Sequence, residues 1–253
     1  MFALKLLLVP SLIGALTLAG RRWGPGLAGW LSGFPIVAGP ILLMVALEQG
    51  QAFAAATSAG ALTAVIANIF FCLAYAWLAT RCSWWICLLG GYAAFAAAGY
   101  LLTVFSLPIH ALLPLCYVAI VAAARAFPDL PSAPLAAPPR IELPARMAAG
   151  AALIVAVTYF APYLGPRMSG VFAAPPLLAS VLVAFSHPIS GAGFAVRLLQ
   201  GMVSGFFALA TFCFLLALLL PATGIAASFA LALAGATGLA GLVRYLRSPG
   251  RRA

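Results

Sequence analysis

Apolar runs of about 20 residues follow one another along almost the whole chain, separated by short groups of polar, glycine and proline residues. A run of this length crosses roughly 30 Å of hydrocarbon as an α-helix, whereas the strands of a membrane barrel are shorter and alternate in polarity. The pattern therefore predicts an all-α, polytopic membrane protein. About nine spanning helices are expected, at roughly residues 2–20, 26–47, 52–79, 84–105, 108–126, 146–163, 168–186, 193–219 and 223–246.

Composition supports a membrane protein. Apolar residues make up 66% of the 253 positions, charged residues only 6%, and the mean hydropathy is +1.17. So few charges could not cover the surface of a water-soluble domain. The five cysteines are odd in number and lie mostly inside apolar runs, so they indicate neither a disulfide framework nor a zinc site.

The stretch from Trp23 to Cys72 is repeated 141 residues later, from Leu164 to Cys213, without a gap. Half of the shared positions are glycine or proline, which indicates that a backbone shape was duplicated and not merely an alanine-rich composition. The identical pairs are Gly24/Gly165, Pro25/Pro166, Gly29/Gly170, Pro35/Pro176, Ala38/Ala179, Gly50/Gly191, Phe53/Phe194, Ala54/Ala195, Gly60/Gly201, Ala67/Ala208, Phe71/Phe212 and Cys72/Cys213.

The repeat divides the chain. Residues 1–105 are expected to form one four-helix unit, 106–126 a connecting helix, 127–145 a proline-rich cytoplasmic linker, 146–247 the second unit and 248–253 a basic cytoplasmic tail. Because a single helix stands between the two units, the second is expected to be inverted across the membrane. Lys5 and its counterpart Arg146 would then lie on opposite sides.

Charged residues give a separate reason to expect this topology. The net charge is +10, and under nine spans nearly all arginines fall on one face, which the positive-inside rule makes cytoplasmic. The N-terminus is then outside and the C-terminus inside. Since the basic residues sit at helix ends and tails, nucleic acid is not an expected partner. The arginines of this face are Arg21, Arg22, Arg81, Arg125, Arg140, Arg146, Arg244, Arg247, Arg251 and Arg252, against Lys5 and Arg167 on the other.

Two matching prolines are the first candidates for a central site. Pro35 follows Phe34 near the middle of the second predicted helix, and Pro176 follows Pro175 near the middle of the seventh. Proline removes a helical hydrogen bond, so both helices should kink or break. Matching interruptions in two inverted halves are typical of a transporter's binding site, although a kink that only improves packing is the alternative.

Polar side chains in apolar helices are the next candidates. Asn68 and Gln200 could bind a solute or could hold neighbouring helices together, and Arg197 could bind an anion or extend towards the interface. Glu48 and His187 are candidates for gating or proton coupling, with ordinary interfacial or structural roles as the alternative. Small residues also recur four positions apart, as Gly60 with Ala64 and Gly201 with Gly205. This spacing suggests that the third and eighth helices cross closely, with general packing in an alanine- and glycine-rich bundle as the alternative.

Enzymatic chemistry is not expected, and neither is a catalytic residue, a metal or a cofactor. The sole aspartate, Asp129, cannot form an aspartyl protease pair, and the chain has no Gly-x-Ser-Gly tetrapeptide, no nucleotide-binding loop, no HExxH motif and no cluster of carboxylates.

The segment Gly29 to Gly50, with Phe34-Pro35, Ala38-Gly39-Pro40 and Glu48-Gln49-Gly50, is similar to the GlpM-like family of small four-helix bacterial membrane proteins. The resemblance implies one such unit in each half and a bacterial inner membrane. The second half lacks the glutamate. The organisation also looks like that of small multidrug resistance and drug/metabolite transporters, but the core from Leu6 to Ala19 lacks the buried glutamate of the small exporters, which argues against proton-coupled export of cations.

These observations favour a secondary transporter or facilitator of a small neutral, zwitterionic or anionic organic solute, working by alternating access around a midplane site. A non-transporting membrane subunit or scaffold of an envelope assembly is one alternative, and a flippase of lipids or lipid-linked precursors is another. Membrane lipids and the solute are the expected partners, and the sequence is compatible with a homodimer.

Overall fold

The computed structural model describes residues 2–105, 107–131, 141–160 and 176–246. Over these residues the chain is entirely helical apart from short connections, which confirms the predicted all-α fold. The helices are α1 (Phe2–Trp23), α2 (Pro25–Ser32), α3 (Ala38–Gln49), α4 (Gln51–Leu78), α5 (Trp84–Phe105), α6 (Ile109–Ala126), α7 (Glu142–Phe160), α8 (Leu177–Ser190), α9 (Ala192–Leu219) and α10 (Ile225–Leu246).

Five of the described helices, α4, α5, α6, α9 and α10, are long and apolar enough to cross a membrane. They indicate a membrane protein. The prediction of nine continuous spans is not met, because the expected helix at 26–47 is two helices of 8 and 12 residues. Each is shorter than the roughly 20 residues that a spanning helix needs. Helix α8 likewise has 14 residues.

The interruption predicted at Pro35 is present. Helix α2 ends at Ser32, helix α3 begins at Ala38, and the buried Pro35 lies between them. Pro176 occupies the matching position immediately before α8. In both copies the proline carbonyl accepts a hydrogen bond from the residue four positions later, Gly39 N at 2.8 Å and Ser180 N at 2.8 Å. The proline therefore cannot continue a preceding helix but can begin a new one.

Helix boundaries repeat with the same offset as the sequence. Gln51 and Leu78 bound α4, and Ala192 and Leu219, each 141 positions later, bound α9. The residue before each of these helices is a glycine in nearly the same conformation, φ 87° and ψ 168° at Gly50, and φ 82° and ψ 166° at Gly191. Only glycine adopts this region readily, which explains why it occurs in both copies.

Helices α1 and α7, which are equivalent in the repeat, pack against each other in antiparallel orientation. The end of α1 contacts the start of α7 through Arg21 and Glu142, while Ile13 lies beside the site where Gly150 would carry a Cβ atom. Equivalent residues therefore run in opposite directions along this pair, as an inverted repeat requires.

Close backbone packing joins α2 to α9. A Cβ atom on Gly33 would lie 2.8 Å from the Cα of Gly205, and one on Gly201 would lie 3.0 Å from the backbone nitrogen of Trp30. Because these glycines have no side chains, the two backbones can approach closely. Helices α4 and α9 also pack against each other, as predicted, but Gly201 and Gly205 face the short helix α2.

Helix α7 begins at Glu142, so the predicted linker at 127–145 is too long at its C-terminal end. Glu142 and Pro144 lie in the first helical turn, where an acidic side chain is favoured and proline costs no hydrogen bond. The beginning of the predicted linker contacts α9, since a Cβ atom on Gly193 would meet the carbonyl group of Pro131. Residues 132–140 and the tail at 248–253 lie outside the described residues.

Candidate solute-binding groove

One end of the helix bundle gathers several arginines. Arg21 and Arg22 end α1, Arg146 lies in the first turns of α7, and Arg197 lies near the start of α9. The C-terminal ends of α4 and α6 also meet. The Trp77 ring near the end of α4 donates a hydrogen bond of 2.8 Å to the carbonyl oxygen of Ala126, the last residue of α6. We call this side of the molecule the arginine-rich end. It is the face that the sequence pattern assigned to the cytoplasm.

A groove of about 630 Å³ opens between α2, α9 and α10 on the side of the arginine-rich end. Its volume falls within the range of pockets that hold drug-sized ligands. Its wall combines aromatic rings with a short row of polar side chains on α9. The lining residues are Trp23, Gly24, Pro25, Gly26, Leu27, Trp30, Arg197, Gln200, Gly201, Ser204, Phe207, Ala240 and Val243.

Arg197 and Gln200, both predicted to bind a solute, lie in this groove. They are three positions apart on α9 and therefore share a face of the helix. Arg197 is exposed and Gln200 half-buried, while the hydroxyl group of Ser204 donates a hydrogen bond of 3.0 Å to the carbonyl oxygen of Gln200. Two of the predicted binding residues thus line one groove together with Ser204, whose hydroxyl group also bonds back to its own helix. The sequence analysis did not single out the neighbouring tryptophans, Trp23 and Trp30.

The polar pair is specific to the second repeat. The positions equivalent to Arg197 and Gln200 in the first repeat are Ala56 and Ala59. Helix α4 has the same length as α9 and also follows a glycine, although it carries alanine at these two positions. The shared fold therefore does not require a guanidinium or an amide there.

The other predicted binding residues do not line the groove. Pro35 is buried in the break between α2 and α3, and the ring of Phe34 packs against Trp30 with 4.6 Å between centroids. Asn68 donates a hydrogen bond of 2.9 Å to the carbonyl oxygen of Ala64, one turn earlier in its own helix.

The two proline breaks approach the same apolar cluster. Val37, two residues after Pro35, and Leu177, directly after Pro176, both pack against the buried side chains of Val9, Ile13 and Val181. Among the described residues, the chain directly after each proline thus packs against apolar side chains. The groove lies nearer the arginine-rich end. Pro175 is outside the described residues.

A buried ion-pair cluster of α1, α7 and α8 lies beside Phe194 and Leu198 of α9, which do not line the groove. The Glu142 carboxylate accepts a hydrogen bond of 2.8 Å from Arg21 and forms a second ion pair with Arg146, whose guanidinium also donates to Ser186 at 3.1 Å. The side chains of Glu142 and Arg146 are 3% and 5% exposed. Burial makes these charges costly unless they are paired, so the cluster fastens α1, α7 and α8 to one another.

Sequence reasoning missed this cluster because it assigned Glu142 to a solvated linker. The signal was present: Glu142 and Arg146 are separated by four positions, the spacing of an ion pair on one helix face. Pro144 and the acid together also mark the start of a helix.

Glu48 and His187, predicted to gate, lie apart from the groove lining. Glu48 is exposed near the end of α3, as an interfacial acid would be. His187 lies near the end of α8, where its Nδ1 is 3.1 Å from the hydroxyl group of the fully buried Tyr75. That contact joins α4 to α8. No group of three or more potential metal-binding side chains occurs among the residues that the structure describes.

Comparisons of the chain with protein-family models, with curated proteins and with solved structures find no significant match. The fold and the groove therefore carry the functional argument.

Proposed function

We propose that this protein is a secondary transporter or facilitator that binds a small organic solute in the groove between α2, α9 and α10. The observation that carries the proposal is the groove itself, which has the size of a small-molecule site and contains a guanidinium and an amide that the repeated fold does not need. A neutral, zwitterionic or anionic solute fits this lining better than a cation, because its one charged side chain is Arg197.

The inverted repeat supplies a mechanism. The antiparallel packing of α1 against α7 and the matched bounds of α4 and α9 support two copies of one unit that face opposite sides of the membrane. In that arrangement the broken helix α2–α3 crosses the membrane once. Rocking between two packings of similar energy would then expose the groove alternately to each side.

The arginine-rich end is proposed to be cytoplasmic by the positive-inside rule. The N-terminus of α1 is then outside, the C-terminus of α10 is inside, and the similarity to the GlpM-like family favours a bacterial inner membrane. Single cysteines at Arg22 and Glu48, in a cysteine-free background, test this topology. An impermeant maleimide added to intact cells should label the second position and not the first, and the opposite pattern would reject it.

Function is tested by a stabilisation screen of small organic solutes on the detergent-purified protein, followed by uptake of the stabilising solute into proteoliposomes. Gln200→Trp fills the groove and should reduce both signals by about tenfold or more. Leu231→Trp, at an exposed apolar position on α10, is the matched control and should reduce neither.

Two outcomes would reject transport. If no solute stabilises the protein and none is taken up, the non-transporting subunit is favoured. If the protein moves labelled lipids between leaflets and Gln200→Trp blocks that movement, the flippase is favoured.

A further inference from the structure

We infer that the groove selects an amphipathic organic anion, with its carboxylate or similar head on Arg197 and Gln200 and its apolar or aromatic body against Trp30 and Phe207. This inference rests on the proposed function and narrows its substrate class. It follows from the charges, the geometry and the aromatic content of the lining.

The charge in the groove is positive and is not compensated by its lining. Arg197 is the single ionisable side chain among the lining residues, and no acidic side chain is present there. The nearest buried acid, Glu142, belongs to the cluster with Arg21 and Arg146 and is already paired with two guanidinium groups. A cleft with one sign of charge attracts ligands of the opposite sign.

Arg22 adds a second positive charge beside a lining residue of the groove. Its guanidinium carbon lies 5.5 Å from the centroid of the Trp23 ring, and Trp23 is a lining residue. A cationic solute in the groove would lie beside Arg197 and near Arg22. Both interactions are repulsive, so amines should bind more weakly than anions.

The polar groups on α9 suit a planar anion. A guanidinium presents parallel N–H donors that match the two oxygens of a carboxylate, and such charge-assisted hydrogen bonds are about twice as strong as neutral ones. Gln200 lies three positions further along the same helix face, roughly 4.5 Å along the axis, where its amide can donate a further hydrogen bond to the same head group.

The remainder of the wall suits an apolar body. Phe207 lies ten positions after Arg197 on α9, roughly 15 Å along the helix axis. Trp30 of α2 and Ala240 and Val243 of α10 also line the groove. Burying an aromatic ring against such a surface is favourable in itself. The arrangement therefore separates a charged end from an apolar end, which favours amphipathic anions over small inorganic ones.

The inference is tested with three probes that share one aromatic body: phenylacetate, phenylacetamide and phenethylamine. Their affinities for the detergent-purified full chain are measured by tryptophan fluorescence and by thermal stabilisation. Phenylacetate should bind at least about tenfold more tightly than the amide, and the amine more weakly than both. Arg197→Gln should remove this preference for the anion, and Arg197→Lys should retain part of it. Arg81→Gln, at an exposed position outside the lining, should change nothing.

Equal or tighter binding of the amide or the amine, with Arg197→Gln unchanged, would overturn the inference of an anion site while leaving a solute groove in place. Absence of binding by all three probes would also overturn it. The transporter proposal would still be judged by its own solute screen and by Gln200→Trp.

A final arm separates the two sources of such an anion. In nanodiscs of phosphatidylcholine alone, phenylacetate should bind as in detergent, and added phosphatidylglycerol should not compete with it. Competition that disappears in Arg197→Gln would overturn the inference of a water-soluble solute, because it would make a lipid head group the occupant.

Discussion

Replacing Gly29 by alanine tests how α2 is held against α9. A Cβ atom at this position would lie 2.9 Å from the backbone nitrogen of Met202 and closer still to the carbonyl oxygen of Leu198. Both are backbone atoms of α9, which cannot rotate away as a side chain could. The two helices must therefore move apart before an alanine fits.

Two opposing terms set the size of the effect. Alanine is a better helix former than glycine by about 1 kcal/mol, which favours the variant. Forcing an extra carbon into a filled contact costs about 1–3 kcal/mol, with the upper end expected here because backbone must shift. The net destabilisation should be about 1–2 kcal/mol. A domain of this size then loses roughly 2–8 °C in its unfolding temperature.

Gly26→Ala is the matched control, since it lies in the same helix and a Cβ atom there would meet nothing within 4 Å. Both variants are purified in detergent, and their thermal unfolding is followed by tryptophan fluorescence and by the loss of monodisperse protein. Gly26→Ala should equal the parent protein or exceed it slightly. The reasoning is refuted if Gly29→Ala is as stable as the parent, or if both variants lose stability equally.

Three further predictions concern other parts of the bundle. Gly50→Ala should cost about 1–3 kcal/mol from backbone strain alone, because φ is +87° and the space around its Cβ position is empty; thermal unfolding measures it. Glu142→Gln should cost about 3 kcal/mol or more by leaving the buried Arg146 without its counter-charge, and adding Arg146→Met should restore much of the loss, as a double-mutant cycle would reveal. Tyr75→Phe should cost about 1 kcal/mol by removing the hydrogen bonds of the hydroxyl group with His187 and with the Val183 carbonyl oxygen, measured as a fall in unfolding temperature without loss of groove binding.

Each of these has a control on the same chain. Gly238→Ala lies in α10 with open space and an ordinary helical backbone, so it should be neutral or stabilising. Asp129→Asn alters an exposed acid and should be neutral, as should Tyr100→Phe on the exposed face of α5. A control that proves as damaging as its partner would contradict the corresponding explanation.

The sequence determined the helical class, the 141-residue repeat and the break at Pro35, because each depends on local properties of the chain. Apolar runs of about 20 residues predict spanning helices and not strands. Proline cannot continue a helix, so it marks the break. Glycine is the residue that readily adopts a positive φ, so it occurs at the same point in both copies. Arg197 and Gln200 could also be identified in advance, since polar side chains stand out in an apolar helix.

Only the tertiary structure decided which surfaces meet. Gly201 and Gly205 of α9 could face α4 or α2, since small residues allow any helix to approach closely. The tertiary structure places them against α2. The prolines near Glu142 predict a linker, whereas contact with Arg21, over a hundred positions away, places Glu142 in the interior. The groove arises in the same way: its walls come from α2, α9 and α10, which no local pattern connects.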